Sequence, residues 1–382
     1  MQHHGCPRRL RNRFPYAEAG RLIRVWRTGR DNHTERGVAG PEIRIAVSLS
    51  GEDCVDILDY VPEEGRLLRV TRLLAHSRPG PLVQSRDGST LYGGLRGSCQ
   101  LATWKLAGDA WATSDPVQTV QLDSDPCYLD LDSRGEWLLA AYYGAGYVSV
   151  HSTQASNGLS TMPVWTAATG PKAHCIREIG TTGRLLVPHT GEENAIHEFE
   201  LDRHTGALRA YGKVAAESDP WIGPAGPRHF EVHPDSSSLF VSNEHSSTVG
   251  HRRLTADGRL GPCLGSVSTL PHPWGLANTC AQIRLTNDAR FLYVSNRGHN
   301  SLALFGVDRQ SGDLRQLGWQ STEEIPRAFG ISSDDRFLFC AGLATGCMTV
   351  YEICSHTGRL DFRNRFAVGM EPMWILPLRS AN

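Results

Sequence analysis

The sequence predicts an all-β fold made of one repeated unit, and the first two observations that predict it are a pair of similar segments and a regular spacing of leucines. The segments are GPRHFEVHPDSSSLFVSNEHSSTV and CAQIRLTNDARFLYVSNRGHNSLAL. Each consists of short alternating apolar runs separated by polar turns, as in a β-meander. The pattern recurs around Leu91, Leu138, Leu186, Leu239, Leu292 and Leu338, at intervals of 47, 48, 53, 53 and 46 residues. A period near fifty in an all-β pattern indicates propeller blades.

The third observation is that the two ends of the pattern complement each other. From Glu42 the chain predicts three strands, IRIAVSLSG, DCVDILDYV and GRLLRVTRLL, without a first strand, whereas MEPMWILPL is a lone first strand. Seven inner strands are predicted, near 80–85, 126–132, 173–178, 228–233, 281–286, 327–332 and 371–377. Seven second strands are predicted, near 43–48, 89–94, 137–142, 184–189, 238–243, 290–296 and 336–341. We therefore predict a seven-bladed β-propeller over residues 41–382, whose ring closes when the C-terminal inner strand joins the N-terminal three and leaves no free edge.

The outer hairpins of the repeats have a turn signature of their own. It reads RHTGALRAYG, TADGRLGPC, RQSGDLRQLG and SHTGRLDFR, in which glycine supplies the positive φ of a tight turn. None of the repeats has the Trp-Asp or Gly-His signature of WD40 arrays, so that class is disfavoured.

The first forty residues do not match the repeat. They contain nine arginines, at positions 8, 9, 11, 13, 21, 24, 27, 30 and 36, against three acidic residues. We expect a poorly ordered extension over 1–40. An added edge strand from GRLIRVWRTG, a non-native upstream start and a basic arm that binds nucleic acid are alternatives for this segment.

Composition limits the cellular compartment and the classes of binding partner that we expect. The 39 basic and 40 acidic side chains give a net charge of −1, so no overall field favours nucleic acid or a membrane surface. The ten cysteines have no metal-ligand spacing, and several lie in predicted strands, which favours reduced, buried thiols. We expect a cytoplasmic protein without metal or cofactor, and no apolar run is long enough to span a bilayer. The oligomeric state is left open.

The chemically versatile residues fall on one face of the predicted ring. Strands of a meander alternate in direction, so the start of each inner strand and the loop after each second strand emerge together. This face receives Lys172, His174, Arg228, His229, Arg327, Met370 and Glu371, and also Arg96, Tyr142, Tyr143, His189, Asn243, Glu244, His245, Asn296, Arg297 and His299. The opposite face receives only the turn formers HPDSSS, TNDAR, SSDDR and SRDGS, with His233 in a structural place.

This face predicts a locally cationic mouth that binds a small anion, phosphate or carboxylate, through guanidinium groups. We expect this mouth to hold His174, Arg228, Arg297, Arg327 and Arg96 against Glu244. The expected substrate-binding residues are Arg327, Arg96, His189, Asn243, Asn296 and His299. Each main candidate has a structural alternative: Arg228 and Arg297 tie adjacent blades together by pairing with Asp or Glu, His174 is a satisfied half-buried imidazole, and Glu244 caps its turn.

The segments GPRHFEVHPD, VSNEHSSTV, STLPHPW, CAQIRLTNDARFLYVSNRGHNSLALFGVD and PRAFGIS resemble the seven-bladed lactonase family. This family includes bacterial 6-phosphogluconolactonases and the fungal carboxymuconate-lactonizing enzyme. The resemblance runs from about Glu42 to the C-terminus and is most specific over 170–350. It implies that His174, Arg228, Arg297 and Glu244 are the acting His, two Arg and Glu of the lactonizing branch.

Three departures from the family pattern bear on substrate choice. Gln282 stands where relatives often have Glu, Lys172 replaces a common His, and His245 replaces a frequent Leu.

The sequence therefore favours hydrolysis of a sugar-acid lactone, most simply 6-phosphogluconolactone to 6-phosphogluconate. In this hypothesis His174 is the general base, the two arginines stabilise the developing oxyanion and hold the anionic tail, and Glu244 orients His174 or an arginine. One alternative is a cycloisomerase that lactonises a carboxymuconate-like diacid with the same residues. The other is a non-catalytic propeller that serves as a binding platform, which a permanent pairing of Glu244 with both arginines would favour.

Overall fold

A computed structural model describes residues 42–107, 110–111, 113–155, 158–216, 218–219, 223–235 and 237–379. The regular structure within these ranges is β-strand throughout. The predicted N-terminal extension lies outside the described residues. No helix within them is long and apolar enough to cross a membrane.

Seven sheets of antiparallel strands form the blades of the ring, and each blade runs from an inner strand to an outer strand. In that order, blade 1 consists of Pro79–Gln84, Thr90–Leu95, Gln100–Ala107 and Gln118–Gln121. Blade 2 consists of Tyr128–Leu131, Trp137–Tyr142, Tyr147–Ser152 and Trp165–Ala168. Blade 3 consists of Arg177–Glu178, Arg184–Pro188, Ala195–Leu201 and Leu208–Ala215. Blade 4 consists of Pro227–Val232, Ser238–Asn243, Thr248–Leu254 and Leu260–Ser268. Blade 5 consists of Thr279–Leu285, Phe291–Arg297, Ser301–Val307 and Leu314–Ser321. Blade 6 consists of Ala328–Ile331, Phe337–Ala341, Cys347–Ile353 and Leu360–Ala367. Blade 7 consists of Pro372–Pro377, Ile43–Leu49, Cys54–Val61 and Arg66–Leu74.

Two short additions accompany the blades. Ala110–Trp111 pairs with the end of the third strand of blade 1, and Ser218–Asp219 pairs with Gly223–Pro224 between blades 3 and 4.

Blade 7 closes the ring as the sequence predicts. The strand Pro372–Pro377 pairs antiparallel with Ile43–Leu49, with Ile375 opposite Val47. Ile375 is 2% exposed and belongs to the core that also contains Phe339 of blade 6. The seven-bladed all-β architecture is therefore confirmed.

The position of a strand within its blade decides its burial. The second strands of blades 1, 2 and 4 are buried at every position, because neighbouring blades cover both of their faces. The outer strand Leu260–Ser268 is instead largely exposed. This is why the predicted second strands read as near-continuous apolar runs, the pattern of a strand covered on both sides.

The pairing register confirms the two-face arrangement. Pro227 lies opposite Asn243 and Thr279 lies opposite Arg297, so inner strands begin where second strands end. An isolated bridge between Ala173 and His189 makes the same connection in blade 3. The mouth residues are thus brought to one end of the central channel by backbone pairing.

Candidate active site

A cavity lies at the mouth, where the inner strands begin. It is lined by Pro81, Arg96, Cys127, Arg228, His229, Arg327, Met373 and Trp374, which come from blades 1, 2, 4 and 7 and from the start of blade 6. Contributions from five blades place this cavity near the axis of the ring. Three of its eight lining residues are arginines, so the predicted cationic character of the mouth is present in the structure.

Glu244 pairs with two arginines. Its Oε1 accepts a hydrogen bond of 2.7 Å from Nη2 of Arg297, and its Oε2 lies 3.2 Å from Nε of Arg228. Arg297 also donates to the carbonyl of Cys280 at 2.8 Å. The contact with Arg228 is an ion pair that lacks hydrogen-bond alignment, since both atoms remain without a hydrogen bond.

This pairing bears on two of the alternatives. The Glu244–Arg297 contact crosses from blade 4 to blade 5, so it ties blades together, and Glu244 holds arginines rather than His174. The double pairing is also the arrangement expected of an idle binding platform. The other two arginines of the mouth, Arg327 and Arg96, argue against a non-catalytic platform.

Arg327 and Arg96 have no carboxylate partner among the described residues. Both are half-buried, and Nε of Arg96 is buried without a hydrogen bond. Burial, together with the charges of Arg297 and Arg96, lowers the pKa of Arg327 to about 10. It stays protonated at neutral pH. Four guanidinium groups and the one carboxylate of Glu244 therefore leave an excess of positive charge at the mouth.

His174 lies beside this cavity rather than in its lining. Its side chain is 5% exposed, its Nδ1 is buried without a hydrogen bond, and its ring packs edge-on against Tyr143 and His229 at 5.5 and 5.1 Å. Burial, followed by the positive charge of Arg228, lowers its pKa well below the usual range. The imidazole is therefore neutral at physiological pH and able to accept a proton.

His229 is a cavity residue that the predicted catalytic set did not contain, although the sequence places it on the correct face. Strict alternation would put neighbours Arg228 and His229 on opposite sides of a strand. A register shift between Pro227 and His229 breaks the alternation, and both side chains line the cavity. The PRH tripeptide at the start of an inner strand was the available signal, because proline favours such irregularities.

Four predicted substrate-binding residues do not line this cavity. Asn296 is fully buried and its amide bonds to Thr269 and Ser301, and Asn243 donates to Thr248 at 2.9 Å. His299 contacts Trp274 and Ser301. His189 is fully buried, and its ring lies 4.4 Å from that of His197. Asn296, Asn243 and His299 support the loops behind the mouth through these hydrogen bonds, whereas both ring nitrogens of His189 lack a hydrogen bond within the described structure.

Two further observations limit the chemistry of the site. No cluster of three or more His, Cys, Asp or Glu side chains suited to a metal ion occurs in the described ranges. Six of the nine cysteines in those ranges are buried. Burial raises the pKa of the cavity residue Cys127 to about 11, so its thiol is not a nucleophile at neutral pH. The groups available for chemistry are the arginines, the glutamate and the two neutral imidazoles.

Comparison with known proteins shows the family of the chain. A family described as "Lactonase, 7-bladed beta-propeller" matches residues 49–377. The 6-phosphogluconolactonase of Serratia proteamaculans is 28% identical over 313 residues, which cover 82% of this chain and 92% of the relative. That of Yersinia pseudotuberculosis is 28% identical over 296 residues, or 77% and 86% of the two chains.

Solved structures share the fold. A protein from Lactobacillus plantarum has a TM-score of 0.80 at 24% identity and covers 89% of this chain and all of its own. The periplasmic gluconolactonase of Pseudomonas aeruginosa has a TM-score of 0.79 at 21% identity, with 90% of this chain and all of its own covered. The chain therefore belongs to the seven-bladed β-propeller lactonase family, as its sequence predicts, and is an enzyme of the lactone-hydrolase class.

Proposed function

We propose that the lactone hydrolysed by this enzyme carries a separate anionic group, and that its simplest form is 6-phosphogluconolactone. The observation that carries this proposal is the presence of Arg327 and Arg96 at the cavity without carboxylate partners among the described residues. Holding an uncompensated cation in a half-buried place is costly, and an anionic ligand would offset that cost. The relatives named 6-phosphogluconolactonase add support, because the substrate in that name carries a phosphate.

The proposed site has two parts with different tasks. Arg327 and Arg96 bind the permanent anion of the substrate. Arg228 and Arg297, already held by Glu244, face the lactone and stabilise the charge that develops on its carbonyl oxygen. Glu244 keeps this second pair fixed, so little reorganisation is needed when that charge appears.

The proposed reaction needs one base and one water molecule. Neutral His174 accepts a proton from water as the water oxygen bonds to the lactone carbonyl carbon, which gives a tetrahedral oxyanion. Collapse of this intermediate breaks the bond to the ring oxygen, and protonated His174 returns the proton to that oxygen. The products are a hydroxyl group and a carboxylic acid, which ionises in water.

The lactonising alternative is less well supported. Addition of a carboxylate to a double bond requires a group that delivers a proton to carbon. Burial holds the pKa of both His174 and His229 well below the usual range, so neither imidazole is a proton donor in its resting state. Hydrolysis, which begins with proton abstraction, fits these neutral rings better.

The testing experiment follows hydrolysis of freshly generated 6-phosphogluconolactone against its spontaneous rate. The wild type should accelerate it, and His174→Ala should lose most of the acceleration. Gluconolactone without phosphate is the matched substrate. Its kcat/KM should be lower by about 10²-fold, because charge-assisted hydrogen bonds to phosphate are lost. Equal kcat/KM values for the two lactones would contradict the second anionic group, and an unaffected His174→Ala would contradict the base.

A cytoplasmic location is also proposed, on the basis of the thiol content. Nine cysteines lie in the described ranges and six of them are buried, which suits a reducing compartment. A thiol count on protein isolated from its host without reductant checks this, since fewer free thiols than cysteines would contradict it.

A further inference from the structure

A line of charged side chains runs beneath the cavity and ends at His229. Arg177 lies 3.3 Å from the carboxylate of Asp130 and 3.1 Å from that of Glu231. The other oxygen of Glu231 lies 2.8 Å from Arg284. Arg284 in turn lies against the side-chain amide of Gln282, with Nη2 at 2.6 Å and Nη1 at 3.2 Å from one of its two terminal atoms. These groups come from the inner strands of blades 2, 3, 4 and 5.

This line fixes the orientation of the Gln282 amide. A guanidinium has donors and no acceptor, so the carbonyl oxygen of Gln282 must face Arg284. The amide nitrogen then faces the other way and donates to Nδ1 of His229 at 2.6 Å. Gln282 is 2% exposed, so water does not compete for either contact.

The amide in turn fixes the proton on His229. A ring nitrogen that accepts a hydrogen bond carries no proton, so Nδ1 is bare and the single proton of the neutral ring lies on Nε2. Nη1 of Arg228 is 3.3 Å from both ring nitrogens. Because Cε1 lies between those nitrogens, an atom at equal distance from both sits over the ring face. Nη1 of Arg228 therefore lies over the ring face and leaves the Nε2 proton unused.

We propose that His229 is an additional hydrogen-bond donor of the active site, whose Nε2–H binds a substrate oxygen, and that Gln282 is the residue that positions this proton. The inference rests on the proposed hydrolysis. In it, His174 accepts the proton of water, while His229 donates to the developing oxyanion beside Arg228. The two adjacent imidazoles thus have opposite tasks. Only His229 accepts a hydrogen bond from the Gln282 amide, which places its own proton on Nε2.

The groups facing His229 bear on its titration. They are Arg228 on its own strand, His174 from blade 3, Tyr128 from blade 2, Trp374 from blade 7 and, through Gln282, Arg284 of blade 5. Burial keeps His174 and Tyr128 uncharged by moving the pKa of each, so both fixed charges near the ring are positive. They oppose an imidazolium and maintain the neutral form with its proton on Nε2.

The first test is independent of activity. NMR of protein labelled with ¹⁵N in histidine, assigned with His229→Gln, should show Nε2 of His229 protonated and Nδ1 bare near neutral pH. Millimolar 6-phosphogluconate should shift the Nε2 resonance. A proton on Nδ1, or an Nε2 resonance that 6-phosphogluconate leaves unmoved, overturns the inference whether or not the wild type hydrolyses the lactone.

The second test is a pH profile of kcat. In Gln282→Glu the carboxylate accepts a hydrogen bond from Nδ1–H, so the Nε2 proton is lost as pH rises through the raised pKa of His229. We expect kcat of this variant to fall by about 10²-fold over that range, the usual loss for one oxyanion donor, while the wild type shows no such fall. Parallel profiles for the two proteins would overturn the role of Gln282.

Two substitutions of His229 separate donation from packing. His229→Leu should lower kcat by about 10²-fold at every pH, and His229→Gln, which offers an amide N–H, should recover part of it. Equal losses in both variants would mean that the ring only fills space. A wild type without lactonase activity would refute the proposed hydrolysis, and the NMR result would still decide the tautomer.

Discussion

Arg327 is, without a ligand, a half-buried cation beside other cations. Its pKa is lowered to about 10, with burial as the largest cause and Arg297 and Arg96 as the next. No carboxylate within the described residues pairs with it. Residues of this kind persist where a ligand needs them, since they lower stability until the ligand binds.

Replacing Arg327 should therefore increase stability and remove anion binding. We expect Arg327→Met to raise the Tm of the free protein by roughly 2 °C, corresponding to about 1 kcal/mol, and to abolish the rise in Tm that phosphate or 6-phosphogluconate causes in the wild type. The matched variant is Arg297→Met, which removes a partner of Glu244 and should lower Tm. A similar loss of Tm in both variants would contradict the difference between a paired and an unpaired arginine.

The neutral state of His174 predicts the acidic side of the rate profile. A general base must be unprotonated, and burial together with Arg228 holds the pKa of His174 well below 6.5. The kcat/KM of the wild type should thus stay constant as pH falls through 6.5 and decline only at clearly lower pH. A profile of kcat/KM for the lactone that halves near pH 6.5 would show that the base is a solvated group instead.

Sequence reasoning reached the arginines of the mouth and not the proton arrangement behind them. Strand direction alone brings Arg96, Arg228 and Arg327 to one end of the channel, so the repeat sufficed to place them. The role of His229 depends on a bulge at Pro227 and on the amide of Gln282, which belongs to another blade. The bulge has a local signal in the PRH tripeptide, whereas the contact with Gln282 has none, because it is set by the packing of one blade on the next.

At the scale of the element, the outer hairpins hold neighbouring blades together. The sequence predicts glycine there for its positive φ, and the four glycines have φ values between 70° and 78°. Each of these glycines also packs closely against the preceding blade, near the first residue of its second strand. The pairs are Gly206 with Trp137, Gly258 with Arg184, Gly312 with Ser238, and Gly358 with Phe291. Glycine is thus needed twice, for the turn and for the close approach.

Gly358 is the position at which the approach between blades is closest. A Cβ there would lie 2.3 Å from the ring of Phe291, which is 8% exposed, and the carbonyl of Gly358 accepts a hydrogen bond from Tyr293 at 2.9 Å. We expect Gly358→Ala to lower the free energy of unfolding by about 3 kcal/mol, from left-handed strain of about 1–2 kcal/mol plus overpacking. Urea unfolding of the wild type and of Gly358→Ala measures this difference in the free energy of unfolding.

The control for that variant is Gly183→Ala. Gly183 has a φ of 79°, but its nearest neighbour for a Cβ is the carbonyl oxygen of Leu201 at 3.5 Å. Gly183→Ala should lower the free energy of unfolding by the left-handed strain alone, about 1–2 kcal/mol. Equal losses at the two glycines would mean that the contact between blades 5 and 6 adjusts without cost.

For the whole molecule, the buried histidines determine the response to acid. Burial lowers the pKa of His151 and of His189 to about 4, and those of His174 and His229 also lie well below 6.5. As pH falls below 6.5 the unfolded chain binds protons that the folded protein does not. The stability that these histidines contribute is therefore complete above pH 6.5 and is lost progressively toward pH 4.

The size of this effect can be measured on one residue. His189 is fully buried and its ring has no hydrogen bond within the described structure, so His189→Leu removes its titration without breaking a polar contact. Between about pH 6.5 and 4 the wild type should lose roughly 3 kcal/mol more than this variant, from about 1.36 kcal/mol for each pKa unit. Denaturant unfolding at several pH values provides the comparison, and identical pH dependence in both proteins would rule out His189 as a contributor.

Closure by a distant strand also has a consequence for synthesis. The strands from Ile43 to Leu74 leave the ribosome early, yet their inner partner, Pro372–Pro377, is translated about three hundred residues later. At roughly 5–20 residues per second, the nascent N-terminal sheet waits for tens of seconds with one edge unpaired. That waiting period is when the chain is most open to edge-to-edge association, so chaperone demand should concentrate on the first-made sheet rather than on the last.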